Sequence, residues 1–165
     1  MGSCCAKGVP SESWTASVAS ATYKTGKEQQ EQQTFQTWAK VVRVTDGDTV
    51  HLTYHDYGNP SNPTVQKPCR MLGINAPEKA LPRSDPLRDQ VIALADRATE
   101  RLSLLILNQK VWVEFQGIDK NGRPLVYIIH NGINTSEYML AHNLVVPYDG
   151  GTRRTSAEII AALAR

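Results

Sequence analysis

The sequence predicts an α+β fold that is mainly β: a five-stranded barrel with one helix inserted after the third strand and further helices after the fifth. Five short segments have the alternation and the apolar content of strands. One long segment between the third and fourth strands carries a single apolar stripe at helical spacing. Helices inserted among mainly antiparallel strands are typical of an α+β fold, and the strand count is compatible with a small barrel.

The first three predicted strands surround a polar turn. Strands over 41–45 and 49–54 flank the turn at 46–48, where we expect Gly47 to let the backbone bend tightly. The second of these strands alternates apolar and polar residues, so one of its faces should be buried. A third strand is predicted over 65–74, after a loop rich in Gly, Asn and Pro.

A long helix is predicted next. Asp85 can cap it, and Pro86 suits the first helical position. Charged residues populate one side of this helix, which indicates a solvated face. Its apolar residues recur every three or four positions, at Leu87, Val91, Leu94, Ala98, Leu102 and Leu105.

The last two strands and two short helices complete the pattern. Strands are predicted over 111–115 and 125–130, followed by the strong turn signal at 131–132. A short helix capped by Asn134 and a terminal helix over 155–164 follow.

The composition of the chain changes near residue 37. Residues 1–37 are rich in Ser, Thr, Gln and Lys, and their scattered apolar residues follow no strand or helix period. Such a segment cannot bury enough apolar area to offset its chain entropy. We therefore predict a mostly disordered tail over 1–37 and one folded domain over 38–165.

The start of this tail resembles an acylation site. Gly2 suits N-myristoylation, and the neighbouring Cys4 and Cys5 suit palmitoylation. One acyl chain holds a protein to a membrane only marginally, whereas two or three hold it stably. We expect a monomeric, intracellular protein on the cytoplasmic face of a membrane, and not a secreted one; the alternative is an unmodified start.

Composition excludes several other classes of protein. No apolar run approaches the roughly 20 residues needed to cross a bilayer. Eighteen Lys and Arg against sixteen Asp and Glu give a charge of +2, too small to argue for a polyanionic partner by itself. Three cysteines cannot build a disulfide framework, and Cys69 is expected to be a small strand residue, not a nucleophile.

Three polar segments carry side chains that suit phosphodiester cleavage. The turn at 46–49 has two carboxylates, the segment 70–78 has an arginine, an amide and a glutamate, and the turn at 119–124 has two cations. Guanidinium groups match the phosphoryl oxygens, on which negative charge builds in the transition state. A divalent cation held by oxygen ligands offsets more of that charge, and a carboxylate can orient or deprotonate water. Each segment alone is a weak signal.

Taken together, the ordered segments DGDTV, RMLGINAPE and DKNGRPLVY closely resemble the staphylococcal nuclease (thermonuclease, SNase-like) family over about residues 40–165. The resemblance implies an OB-fold, a five-stranded barrel with helices. It also implies a calcium-dependent enzyme that hydrolyses DNA and RNA. The alternative within the same family is a non-catalytic module that binds nucleic acid or a protein partner.

The resemblance assigns roles to individual residues. Arg70, Glu78 and Arg123 fall on the catalytic positions, where the glutamate acts on the attacking water and the arginines hold phosphoryl oxygens. Lys120 falls where the family contacts a nucleotide phosphate, and Tyr148 lies near a tyrosine that stacks on a base.

The resemblance also implies a calcium site. Its ligands would be Asp48, Asn75 and the backbone carbonyl of Ala76, with Asp46 acting mainly through water. Asn75 stands where the family usually has a second aspartate; it keeps a carbonyl oxygen but removes one negative charge, so we expect weaker calcium binding. Asn121 replaces an aromatic residue of the nucleotide pocket. The two asparagines favour the binding module, and the catalytic positions favour the enzyme.

Overall fold

The computed structural model describes residues 17–20, 33–55 and 64–164. The predicted acylation positions Gly2, Cys4 and Cys5 lie outside the described residues, as does much of the predicted tail. No helix in the described part of the chain is long and apolar enough to span a bilayer. The elements are, in order, β1 (Ser17–Ser20), β2 (Gln33–Asp46), β3 (Thr49–His55), β4 (Thr64–Met71), β5 (Ile74–Asn75), α1 (Arg88–Ile106), β6 (Lys110–Ile118), β7 (Pro124–His130), β8 (Ile133–Asn134), α2 (Thr135–Ala141), β9 (Val146–Pro147) and α3 (Ser156–Leu163).

Five strands close into a barrel. Their order is β2, β3, β4, β7 and β6, and β6 pairs back onto β2. The pairings are antiparallel except that of β4 with β7, which is parallel and joins Arg70 to Leu125 and Met71 to Val126. The barrel with its inserted helix α1 and two later helices confirms the predicted α+β, OB-like fold class. Its interior holds the fully buried side chains of Val41, Leu52, Val113 and Ile128.

The first barrel strand is longer than the sequence predicts. β2 begins at Gln33 instead of residue 41, and this start, like β1, falls within the range predicted to be a tail. Phe35 pairs with Phe115 on β6, and their rings stack with centroids 4.1 Å apart. Cross-strand aromatic pairs stabilise a sheet. Thr37 and Ala39 are also buried on this alternating side of the strand. Because one is polar and the other is small, the sequence does not show the alternation of apolar residues there.

The predicted third strand is divided in two by a turn. β4 ends at Met71, and Gly73 then adopts a φ of 78°, a conformation that favours glycine. β5 pairs with β9, with Asn75 opposite Val146. The amide of Tyr148 donates to the carbonyl of Gly73 at 3.0 Å. This small second sheet brings the chain after β4 next to the chain after β9.

Helix α1 begins two residues later than predicted. Leu87 takes the N-cap position, and its amide donates to the carboxylate of Asp85 at 2.8 Å. Asp85 therefore stabilises the turn before the helix instead of capping the helix itself. The same carboxylate accepts the hydroxyl of Ser156 at 2.7 Å, which ties the start of α1 to the start of α3.

Gly47 is required by packing and not by backbone conformation. Its φ lies outside the left-handed region, so the expected reason for this glycine is wrong. A Cβ atom there would lie 2.7 Å from the Cβ of Ala98 on α1 and 3.1 Å from that of Ala76. Real Cβ atoms do not approach so closely, so the helix packs directly on the turn that carries Asp46 and Asp48.

Candidate active site

The predicted site residues come from neighbouring ends of barrel strands. Arg70 lies near the end of β4, where it is opposite Thr49 of β3 on one side and Leu125 of β7 on the other. Asp48 directly precedes β3, and Arg123 directly precedes β7. The pairing of β4 with both β3 and β7 therefore brings three segments that are distant in sequence to one end of the barrel.

Arg70 and Asp48 form a buried ion pair. The Nη1 atom of Arg70 lies 2.7 Å from Oδ2 of Asp48, and the two side chains are only 9% and 10% exposed. Asp48 also accepts the amide of Ala76 at 2.5 Å and the hydroxyl of Thr49 at 2.9 Å. The Nη2 atom of Arg70 donates to Oδ1 of Asn75 at 2.8 Å. Because every charged group has partners, the network fixes the orientation of the guanidinium.

Two of the predicted calcium ligands, Asp48 and Asn75, contact this same guanidinium. Carboxylate, amide and carbonyl oxygens are the donors that calcium prefers, and Asp48 and Asn75 contribute two of them within reach of one side chain. Burial, and next the charge of Asp48, raise the pKa of Asp46, and a nearby cation would relieve that repulsion. The donor chemistry fits calcium, although the ion would share its oxygens with Arg70. Within the described residues, no group of three or more His, Cys, Asp or Glu side chains is arranged to hold a metal.

Arg123 is held by the carboxylate of Asp119, for which the sequence predicted no role. Its Nε atom donates to Oδ2 of Asp119 at 2.8 Å, and its backbone amide donates to Oδ1 at 2.9 Å. The amide of Asn121 donates to the same oxygen at 2.8 Å. Burial alone would raise the pKa of Asp119, but these hydrogen bonds lower it below its usual value. Asp119 therefore orients the second arginine.

A cleft of about 610 Å³ opens between these segments. Arg70, Lys120, Arg123 and Tyr148 all line it, so four of the predicted catalytic and substrate-binding residues share one cavity. The hydroxyl of Tyr148 donates to the carbonyl of Gly151 at 2.9 Å, which holds the ring beside the opening.

Glu78 lies at the edge of the cleft and not among its lining residues. Its carboxylate accepts a hydrogen bond from Nη1 of Arg153, a residue that does line the cleft. Both side chains are about half exposed. Among the described residues, no hydrogen bond or ion pair joins Glu78 to Arg70 or Arg123. The structure thus places Arg70 and Arg123 in one cleft, and it connects Glu78 to that cleft through Arg153.

Arg153 was not among the residues predicted from the sequence. This arginine lies in the loop after β9, and it reaches the cleft because β9 pairs with β5. Each of those strands has two residues, which is too short to show a period. The sequence therefore contained no pattern that could have found it.

Cys69 is excluded as a nucleophile. It lies beside Arg70 in β4 but is fully buried. Burial raises the pKa of its thiol to about 12, so the thiolate is absent at neutral pH. This agrees with the role of a small strand residue expected from the sequence.

The comparison with protein families identifies the same region. Residues 68–160 match the family described as staphylococcal nuclease homologue, and this match covers more than half of the chain. It includes Arg70, Glu78 and Arg123 and begins after the turn that carries Asp46 and Asp48. No curated protein matches the chain.

Proposed function

Because the chain belongs to the staphylococcal nuclease homologues, whose members are in general nuclease hydrolases, we propose that it is a calcium-dependent nuclease acting on DNA or RNA. The observation that carries this proposal is the single cleft lined by Arg70, Lys120 and Arg123. Three cations from two segments that are distant in sequence suit a phosphate backbone, and each arginine can bind phosphate oxygens through two parallel hydrogen bonds.

In the proposed mechanism, Arg70 and Arg123 bind the phosphoryl oxygens of the scissile phosphate. Both arginines already have carboxylate partners, Asp48 and Asp119, that fix where they point. Donors held in place before the reaction need no reorganisation as negative charge builds in the transition state. Removal of one such donor typically costs a factor of about 100 to 1,000 in rate.

Glu78 acts on the attacking water in this mechanism. Its carboxylate orients the water or accepts its proton while the oxygen attacks phosphorus in line with the departing 5′ oxygen. The phosphate then remains on the 3′ end of one product. The half-exposed position of Glu78 leaves it accessible to solvent and to substrate.

Calcium would be held by Asp48, Asn75 and the carbonyl of Ala76, and Asp46 would act mainly through water. When bound, it supplies positive charge that offsets the charge developing on the phosphoryl oxygens. The amide of Asn75 brings an oxygen without a charge, so binding should be weaker than with two aspartates.

The proposal is tested with the purified protein and single-stranded DNA, in calcium and in a chelator. We expect cleavage in calcium, none in the chelator, and at least about a 100-fold slower reaction in Glu78→Gln. Absence of cleavage in calcium at every pH tried contradicts the proposal. Binding without cleavage would instead favour the non-catalytic module.

We further propose that acyl chains on Gly2, Cys4 and Cys5 tether the protein to the cytoplasmic face of a membrane. This proposal is supported by the sequence alone. Mass spectrometry of the native protein should find acyl chains on these residues, and an unmodified Gly2 contradicts it.

A further inference from the structure

A third arginine lines the cleft and has no role in the mechanism above. Arg153 lies in the loop between β9 and α3, just after Gly150 and Gly151, and its Nη1 atom pairs with Glu78. We propose that Arg153 is a substrate-binding residue that leaves Glu78 for a backbone phosphate of single-stranded nucleic acid, next to the scissile phosphate. This inference rests on the proposed function, because it concerns the same cleft.

The arginines of the cleft differ in how firmly they are held. Arg70 is buried and bonded to two side chains, and Arg123 is bonded through Nε to Asp119. Arg153 is itself 54% exposed, and within the described residues its ion-pair partner is the half-exposed Glu78. Ion pairs in contact with water contribute little to stability, so this arginine can change partner at small cost.

The charge of the cleft favours such an exchange. Four basic side chains line it, Arg70, Lys120, Arg123 and Arg153, against the carboxylates of Asp119 and Asp149. A nucleic-acid strand carries one phosphate per nucleotide. A bound strand therefore presents more phosphates than Arg70 and Arg123, which bind the scissile one, can contact. A guanidinium binds phosphate oxygens in a forked, charge-assisted arrangement.

The exchange would also act on Glu78. In the free protein, the Nη1 atom of Arg153 occupies an oxygen of that carboxylate. When Arg153 moves to a phosphate, this oxygen becomes available to a water molecule. Substrate binding and the release of the proposed base would thus be one event, and Arg153 would act in binding and not in the chemical step.

The test measures binding of a single-stranded oligonucleotide in a chelator, where no cleavage occurs, at several salt concentrations. Removing one ion pair between the protein and a phosphate should reduce the slope of log affinity against log salt by about 0.7. We expect this reduction in Arg153→Ala, with about a tenfold loss of affinity at low salt. Arg153→Lys should keep the slope, because it keeps the charge.

Arg154→Ala is the matched control. It removes the same charge from the same loop, but Arg154 lines a different pocket and lies near Glu158 at the start of α3. We expect its salt slope to equal that of the wild type. Equal slopes in all variants, equal reductions in both alanine variants, or no binding by the wild type would overturn the inference.

The two proposals fail in distinguishable ways. If the wild type cleaves DNA in calcium but Arg153→Ala keeps the wild-type salt slope, the nuclease proposal stands and the role of Arg153 is overturned. If the wild type binds with the predicted slopes but never cleaves, the binding of phosphate by Arg153 stands and the nuclease proposal is overturned.

Discussion

Among the arginine–carboxylate pairs at the cleft, two differ most in burial. Arg70 and Asp48 are about nine-tenths buried, with further bonds to Asn75 and neighbouring groups. Arg153 and Glu78 are about half exposed. An arginine–carboxylate pair can therefore have two roles. A buried pair fixes the orientation of the arginine, whereas an exposed pair lets the arginine change to another anionic partner.

The energetic difference follows from solvation. When one partner of a buried pair is removed, the other charge is left without water or a counter-ion, which costs about 3–5 kcal/mol. An exposed pair contributes about 0–1 kcal/mol, because water replaces the missing partner. The buried pair should therefore dominate stability, and the exposed pair should matter only for function.

Mutation of the buried pair should lower stability most. Arg70→Ala should lower the free energy of unfolding by about 3–5 kcal/mol, because it leaves the carboxylate of Asp48 buried without its counter-ion. Arg153→Ala should lower it by less than about 1 kcal/mol. Urea unfolding of both variants measures the difference, and similar losses in the two variants would contradict the different roles of the buried and the exposed pair.

The sequence predicted the parts of this arrangement that depend on periodicity. The apolar stripe of α1 and the alternation in β3 predicted that helix and that strand, since those patterns extend over many residues, whereas the OB-fold and the site residues were implied by the family resemblance. The pairing of β5 with β9 has no such pattern, so Arg153 could not be placed. The role of Gly47 depends on its approach to Ala98, a contact distant in sequence that no local rule reveals.

An intermediate effect is expected at the proposed calcium site. Asn75→Asp adds a negative charge beside Asp48, so calcium should bind about tenfold more tightly. Asn121→Asp is the control, because it adds the same charge at an exposed position of the turn near Arg123. Calorimetry should show tighter binding only for the first variant; unchanged or weaker affinity there would contradict the assigned ligands.

Small, pH-dependent changes in stability are expected at two carboxylates whose pKa values are shifted in opposite directions. Asp119 has a lowered pKa, so its ionised form stabilises the fold above the ordinary value of 3.8, and this contribution is lost as the pH falls. Asp119→Asn should therefore cost up to about 1 kcal/mol, or a few degrees of Tm, at pH 7 and less in acid.

Replacement of Asp46 should change stability in the opposite direction. Its pKa is raised by burial and then by Asp48, so its ionised form destabilises the fold as the pH rises above the ordinary value of 3.8. Asp46→Asn should raise Tm slightly at pH 7 in a chelator, and the gain should vanish in acid. Thermal unfolding of both variants from pH 3 to pH 7 checks the signs; two shifts of the same sign would contradict this account.

A double-mutant cycle between Glu78 and Arg123 tests whether these residues act on one phosphate. Single-turnover cleavage of single-stranded DNA in calcium is measured for the wild type, Glu78→Gln, Arg123→Ala and the double variant. Residues that act as a unit are strongly non-additive, so the double variant should be about as slow as the slower single variant. If the two losses multiply, or the wild type does not cleave, the claim is contradicted.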